Sequence, residues 1–291
     1  MTILILGAAG NLGTAYSRLL ADQEDIKLVA WDKTDLDVTD QGILSKKIFD
    51  IKPDVIINLV AYNQVDACEK NKKNQTIARR LNVEFVKILA EIALAVNAIL
   101  VHYSSDYVFK GDKVEGYDET DTPEPQNFYG QTKFDGEKEL LKLTGKGLKW
   151  YLIRTARLFG PKGSSSLAKR NFFDLMLSLA AKNQELKAVN NEVGSFTYTV
   201  DLVKASWDLI LEACPYGVYH LVNSGSASWY EGAKYFLRAK LDSRIDLAKI
   251  KSITSQDLTQ PAKRPEYSVL INTKRPVLRS WQEAVDDYIR N

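Results

Sequence analysis

Short apolar runs without polar alternation constrain this chain more than any other feature. Thr2–Leu6, Lys27–Trp31, Asp54–Asn58 and Ile99–Tyr103 are of this kind, and Trp150–Thr155 adds a fifth strand-like run. A strand that is apolar on both faces needs cover on both, which a parallel sheet with helices above and below provides. The stretches between the runs are helical in period: Leu12–Asp22, Gln41–Asp50, Ile77–Val96 and Tyr129–Leu143. In the longest, Leu81, Phe85, Leu89 and Ile92 share one face. Such strand–helix alternation predicts right-handed crossovers and a doubly wound α/β sheet.

Past residue 160 the rhythm loosens. Gly160–Ser166 reads as a mobile loop, Asn171–Lys182 and Val200–Ala213 as helices, Lys187–Val189 and Val218–Val222 as strands. Ser228 followed by Glu231 has the spacing of a capping box, which starts a helix running to Leu241. A loop with Pro261 and Pro265 precedes a closing helix at Ser280–Arg290.

Composition removes several function classes. The 39 basic and 37 acidic residues leave a formal net charge of +2, which is no footprint of a dedicated nucleic-acid binder. Two cysteines and two histidines, far apart, exclude a disulfide scaffold and argue against a Cys/His zinc site. The longest apolar stretch, around Ile92–Val101, is broken by Asn97, so no membrane span is expected. Met1–Leu6 has no basic leader and reads as a first strand. The expectation is a cytoplasmic protein.

Ligands of doubly wound sheets sit beyond the carboxyl ends of the strands, and the motifs fall there. Gly7-Ala8-Ala9-Gly10-Asn11-Leu12-Gly13 leaves the first strand and opens the first helix. Glycines let backbone N–H groups approach a pyrophosphate, and the helix N-terminus adds partial positive charge. Asp32 follows the second strand, where a carboxylate accepts from an adenosine ribose hydroxyl; Lys33 beside it can instead pair with the 2′-phosphate of NADPH. A plain strand–helix turn and a solvated acid are the bland readings; the turn's place after the first strand favours the functional one. Residues 1–160 are thus expected to form an NAD(P)-binding, Rossmann-type domain to which 200–222 return, with 161–291 mainly a smaller substrate-binding lobe.

Tyr129 and Lys133 stand at i and i+4, on one helical face, downstream of Ser105 at the end of the fourth strand. Reduction of a ketone leaves an alkoxide that needs a proton. A phenol supplies one when an adjacent ammonium brings its pKa, about 10 in water, nearer neutrality. A serine hydroxyl then holds the oxygen where charge develops. Tyr-x-x-x-Lys alone is more often an amphipathic pair; in order after the glycine turn and the strand-end serine it carries the chemistry.

These segments, with Asn58-Leu59-Val60-Ala61-Tyr62, Val65-Asp66-Ala67-Cys68-Glu69, Tyr103–Phe109, Arg154-Thr155, Asn191–Thr197, Gly217–Val222 and Arg264-Pro265, resemble the dTDP-4-dehydrorhamnose reductase family of extended short-chain dehydrogenase/reductases over essentially the whole chain. The resemblance implies reduction of the C4 ketone of a nucleotide-linked deoxysugar by NADPH or NADH, in a monomer or homodimer. It implies Tyr129 as proton donor, Lys133 as its tuner and a ligand of the nicotinamide ribose, and Ser105 at the strand-end hydroxyl. Ala61 and Tyr62 would lie along the cofactor and Asp37 near the adenine; for Asp37 a surface-loop role is nearly as good. Ser105, Asp106, Arg157, Phe196 and Arg264 would meet the substrate, Arg264 as a fork for phosphate oxygens, although it reads equally well as a surface arginine. No metal site carries over.

Two positions depart from the pattern. Arg157 follows Arg154-Thr155-Ala156 where the family has a tryptophan, and Phe196 stands where it has proline. Both bear on which sugar is taken. A 4,6-dehydratase is disfavoured because Asp106 is followed by Tyr107 and not by a second acid. Another nucleotide-sugar reductase, an epimerase of the same fold and a non-catalytic regulatory relative remain as alternatives.

Overall fold

The computed structural model describes residues 1–165, 168, 170–182, 185–241 and 250–291; Ser166, at the end of the expected 160–166 loop, lies outside them. Five strands, β1 (Thr2–Leu6), β2 (Lys27–Trp31), β3 (Val55–Asn58), β4 (Ile99–Ser105) and β5 (Lys149–Thr155), join Gly217–His220 in a six-stranded sheet. Its order is Gly217–His220, β5, β4, β3, β1, β2. Every pairing is parallel.

The apolar runs alternate between two cores. Leu4, Leu6, Ile56, Leu100 and Leu152 pack beneath α2 (Gln41–Ile51), α5 (Phe85–Ala95) and α6 (Phe128–Leu141). Ile3, Ile5, Ile57, Val101 and Ile153 pack beneath α1 (Asn11–Leu20) and the helix Thr199–Leu211. Both faces are therefore dry, which is why the strands read as continuous apolar runs. A third core, rich in aromatic residues such as Phe173, Phe196, Phe236 and Trp281, lies among the later helices and short strands. Ser228 and Glu231 form the expected box: Ser228 N–H donates to Glu231 Oε2 at 2.8 Å, and Glu231 N–H to Ser228 Oγ at 3.1 Å. Among the described residues no helix is long and apolar enough to cross a membrane.

The stretch expected as one helix, Ile77–Val96, is built differently. Helix α4 (Lys72–Arg79) leads into a π-helical turn at Arg80–Glu84 before α5 begins. The wider turn brings Asn82 to 1% exposure, and such turns recur at functional sites. A short helix, α3 (Val65–Lys70), precedes it and lacks the length to show a period in the sequence.

From β1 the chain goes to β2 on one side and then crosses to β3 on the other. The crevice of a doubly wound sheet opens at this reversal, beyond the carboxyl ends of β1 and β3.

Candidate active site

The glycine turn lies at that reversal. Gly7 has φ +84°, and a side chain there would press on the backbone of Leu59 and Val60 beyond β3. A Cβ on Gly13 would collide with the carbonyl groups of Gly7 and Ala8. Helix α1 starts at Gly10 with no side chain capping it. A bare helix start beside a cradle that a Cβ would fill suits a pyrophosphate, so the residues fit a dinucleotide. Asn11 Oδ1 accepts from Gly163 N–H at 2.8 Å, and Ser165 N–H donates to Ala9 at 2.9 Å, so the loop after residue 160 lies over the turn. Leu12 points into the core and can contribute only backbone.

Beyond β2, Asp32 is half-buried and Lys33 exposed. Asp37 is exposed, and its Oδ1 accepts from Thr39 N–H at 2.9 Å and Thr39 Oγ1 at 2.7 Å. Those bonds hold its carboxyl below the usual range, as expected of a turn-forming acid. Ala61 is exposed and Tyr62 half-buried. Asn82, which the sequence did not single out, fixes their loop. Its Oδ1 accepts from Tyr62 N–H at 2.8 Å, while its Nδ2 donates to Tyr62 O at 3.1 Å and Thr132 Oγ1 at 3.0 Å.

Strand β4 and helix α6 bring the serine, tyrosine and lysine together. Glu69 on α3 accepts the α6 Phe128 N–H at 2.7 Å, and Asn127 caps Gly130 N–H at 2.8 Å. Buried Glu137 holds Arg154 of β5 through bonds of 3.1 and 2.7 Å, fixing the helix to the sheet. Tyr129 is 9% exposed, its ring edge-on to Tyr107 at 5.7 Å. Burial and then the Asp106 carboxylate push its phenol well above the usual value, against a hydrogen bond with Ser105. Lys133 Nζ donates to Tyr103 O at 2.6 Å. Burial, opposed by Glu137, pulls its ammonium down to about 8. For the Tyr129 phenol desolvation is the largest influence and sets an upward direction, against the lowering expected from an ammonium neighbour.

Arg157 has φ +42°, an uncommon backbone for a residue with a side chain. Its guanidinium lies 4.2 Å from the Trp229 ring and 5.4 Å from Phe196, and donates to Ala227 O at 2.8 Å and Glu192 O at 3.0 Å. Phe196 itself is 1% exposed in the third, aromatic-rich core. The expected substrate contact is corrected: crowded by Phe173 and Trp281, its ring supports Arg157 from behind. An aromatic group, Trp229, does reach this corner, from a distant segment. Asp106 is 3% exposed. Arg264 is clamped by Asp66 through bonds of 2.6 and 2.7 Å and faces Tyr107 and Glu192.

Comparison with known proteins agrees over the full length. A family model described as the RmlD substrate binding domain matches residues 1–291. The spore coat polysaccharide biosynthesis protein SpsK of Bacillus subtilis is 34% identical, covering 99% of this chain and 96% of that protein. A crystal structure of a dTDP-4-dehydrorhamnose reductase from Clostridium acetobutylicum superposes with a TM-score of 0.89 at 36% identity, covering 100% of this chain and 99% of that one. The Bacillus anthracis dTDP-4-dehydrorhamnose reductase, crystallised with NADP, gives a TM-score of 0.90 at 31% identity, covering 99% and 98%.

Proposed function

Because the chain belongs to the family of the RmlD substrate binding domain, which matches it from end to end, we propose that it reduces the C4 ketone of a dTDP-linked 6-deoxyhexulose, dTDP-4-dehydro-L-rhamnose, with NADPH or NADH. The observation that carries the reading is the meeting of Ser105, Tyr129 and Lys133 at the end of β4. The glycine cradle opens on the same edge of the sheet two strands away, a span of ~10 Å.

The turn Gly7–Gly13 and the start of α1 would hold the pyrophosphate, Asp32 and Lys33 the adenosine ribose, and Ala61 and Tyr62 the stretch toward the nicotinamide. The dinucleotide supplies a hydride when bound. Tyr129 gives its proton to the ketone oxygen as that oxygen becomes an alkoxide. A phenol whose pKa is raised keeps its proton until then, and still lies below an alkoxide in basicity, so transfer runs downhill. The Lys133 ammonium holds positive charge under the site and steadies the phenolate left behind. Arg264 and Arg157 present cationic groups where a nucleotide diphosphate and its sugar enter.

Purified protein should oxidise NAD(P)H when given a 4-keto-6-deoxy nucleotide sugar. Tyr129→Phe should lower kcat by the roughly 10²–10⁴-fold expected of a lost general acid. Near-full activity in that variant would remove the phenol from the reaction.

A further inference from the structure

A guanidinium carries about five N–H donors in a fixed fork geometry. Arg264 uses three of them: Nη1 donates to Asp66 Oδ1 at 2.6 Å and to Ala262 O at 2.7 Å, and Nη2 donates to Asp66 Oδ2 at 2.7 Å. The Nε–H and the second Nη2 hydrogen lie side by side on the neighbouring edge and meet no acceptor among the described residues. We propose that Asp66 is a positioning residue: by filling one edge of Arg264 it aims the other, as a rigid fork, at the diphosphate of the nucleotide sugar. The inference rests on the reading of Arg264 as the cation that meets that diphosphate.

One short helix fixes this fork relative to the proton donor. Asp66 and Glu69 stand three residues apart, on one face of α3. Glu69 accepts the Phe128 N–H at 2.7 Å, at the start of the helix that carries Tyr129. Val65 and Cys68, which flank Asp66 on α3, pack in one cluster with Tyr62, Tyr107 and Tyr129. The loop that brings Arg264 is itself fastened. Ala262 N–H donates to Asp66 Oδ1 at 3.3 Å, and Asn127 Nδ2 to Lys263 O at 2.8 Å. Pro265 lies so close to Gly111 that a Cβ there would collide with it. Asn127 also caps Gly130 N–H, so the loop and α6 share an anchor. A carboxylate beside the fork also repels a phosphate, but the Asp66 side chain is 39% exposed and solvent screens that repulsion. An arginine released from its clamp would have to be ordered again at each binding event, which costs affinity.

The test needs no turnover. With NADPH present, calorimetry should show thymidine diphosphate binding wild type more tightly than thymidine monophosphate. In Asp66→Asn that advantage should shrink by roughly tenfold, what one hydrogen bond to a charged group carries, while the affinities for NADPH and the monophosphate hold. Arg264→Lys should shrink it similarly, and adding Asp66→Asn to Arg264→Lys should shrink it no further, because the two act through one fork. An advantage kept or enlarged in Asp66→Asn, with Arg264→Lys still impaired, overturns the positioning role and leaves the arginine's own role standing. If neither substitution changes it, the diphosphate reading of Arg264 falls and the proposal with it. Parallel loss of NADPH and monophosphate binding in Asp66→Asn would mark a merely structural pair and overturn the proposal too.

Discussion

The glycine turn after β1 and the Arg157–Trp229 corner beside the third core show two ways of building a surface from the chain. The first is backbone: Gly7, Gly10 and Gly13 form a cradle by what they lack, and seven consecutive positions suffice. The second is side chain: Arg157, Glu192 and Trp229 come from separate segments and fix one another by stacking and hydrogen bonds. A cradle of backbone amides suits a constant group such as a pyrophosphate. A cluster of side chains can change one residue at a time, and the departures from the family pattern, Arg157 and Phe196, both fall in it.

Substitutions can break this contrast, the largest effect first. Glu137→Ala leaves the buried Arg154 cation of the sheet without its partner on α6, and should destabilise the fold by about 3–5 kcal/mol in chemical denaturation. Gly13→Ala, in the backbone cradle, forces a Cβ against two carbonyl groups. It should weaken dinucleotide binding by about 1–3 kcal/mol in calorimetry, while affinity for the nucleotide sugar in the absence of cofactor is kept. Lys133 sharpens the comparison through pH. Its ammonium, pulled down to about 8 by burial, is present below that value and lost above it. The rate should therefore fall as pH rises through about 8, and in Lys133→Arg, always cationic, that alkaline limb should vanish from the kcat profile. The smallest effect is expected at Asp37, whose carboxylate already serves Thr39. Asp37→Asn should change dinucleotide affinity by less than about 0.5 kcal/mol, as a surface substitution does.

What the sequence made legible follows the same division. The sheet strands could be placed because two-sided burial leaves a continuous apolar run, and the glycine turn because its parts are neighbours in the chain. The tyrosine and lysine could be paired because one helical turn separates them. Asn82 could not be found this way: its role depends on a π-helical turn that the apolar period of the surrounding helix conceals. Nor could the Asp66–Arg264 clamp, whose partners lie 198 positions apart. Phe196 was expected at the substrate by its motif, but packing draws its ring into the aromatic-rich core. The phenol was expected to be lowered by its lysine neighbour; burial, which sequence spacing does not report, sets the direction instead.

The central claim is that hydride reaches C4 of the sugar while Tyr129 protonates its oxygen, and isotope transfer tests it most directly. With NAD(P)H carrying deuterium at the transferred C4 position of the nicotinamide, the product sugar should gain one deuterium at C4, in step with oxidation of the dinucleotide. A sugar whose new hydrogen comes from solvent, with the dinucleotide left reduced, would contradict the account.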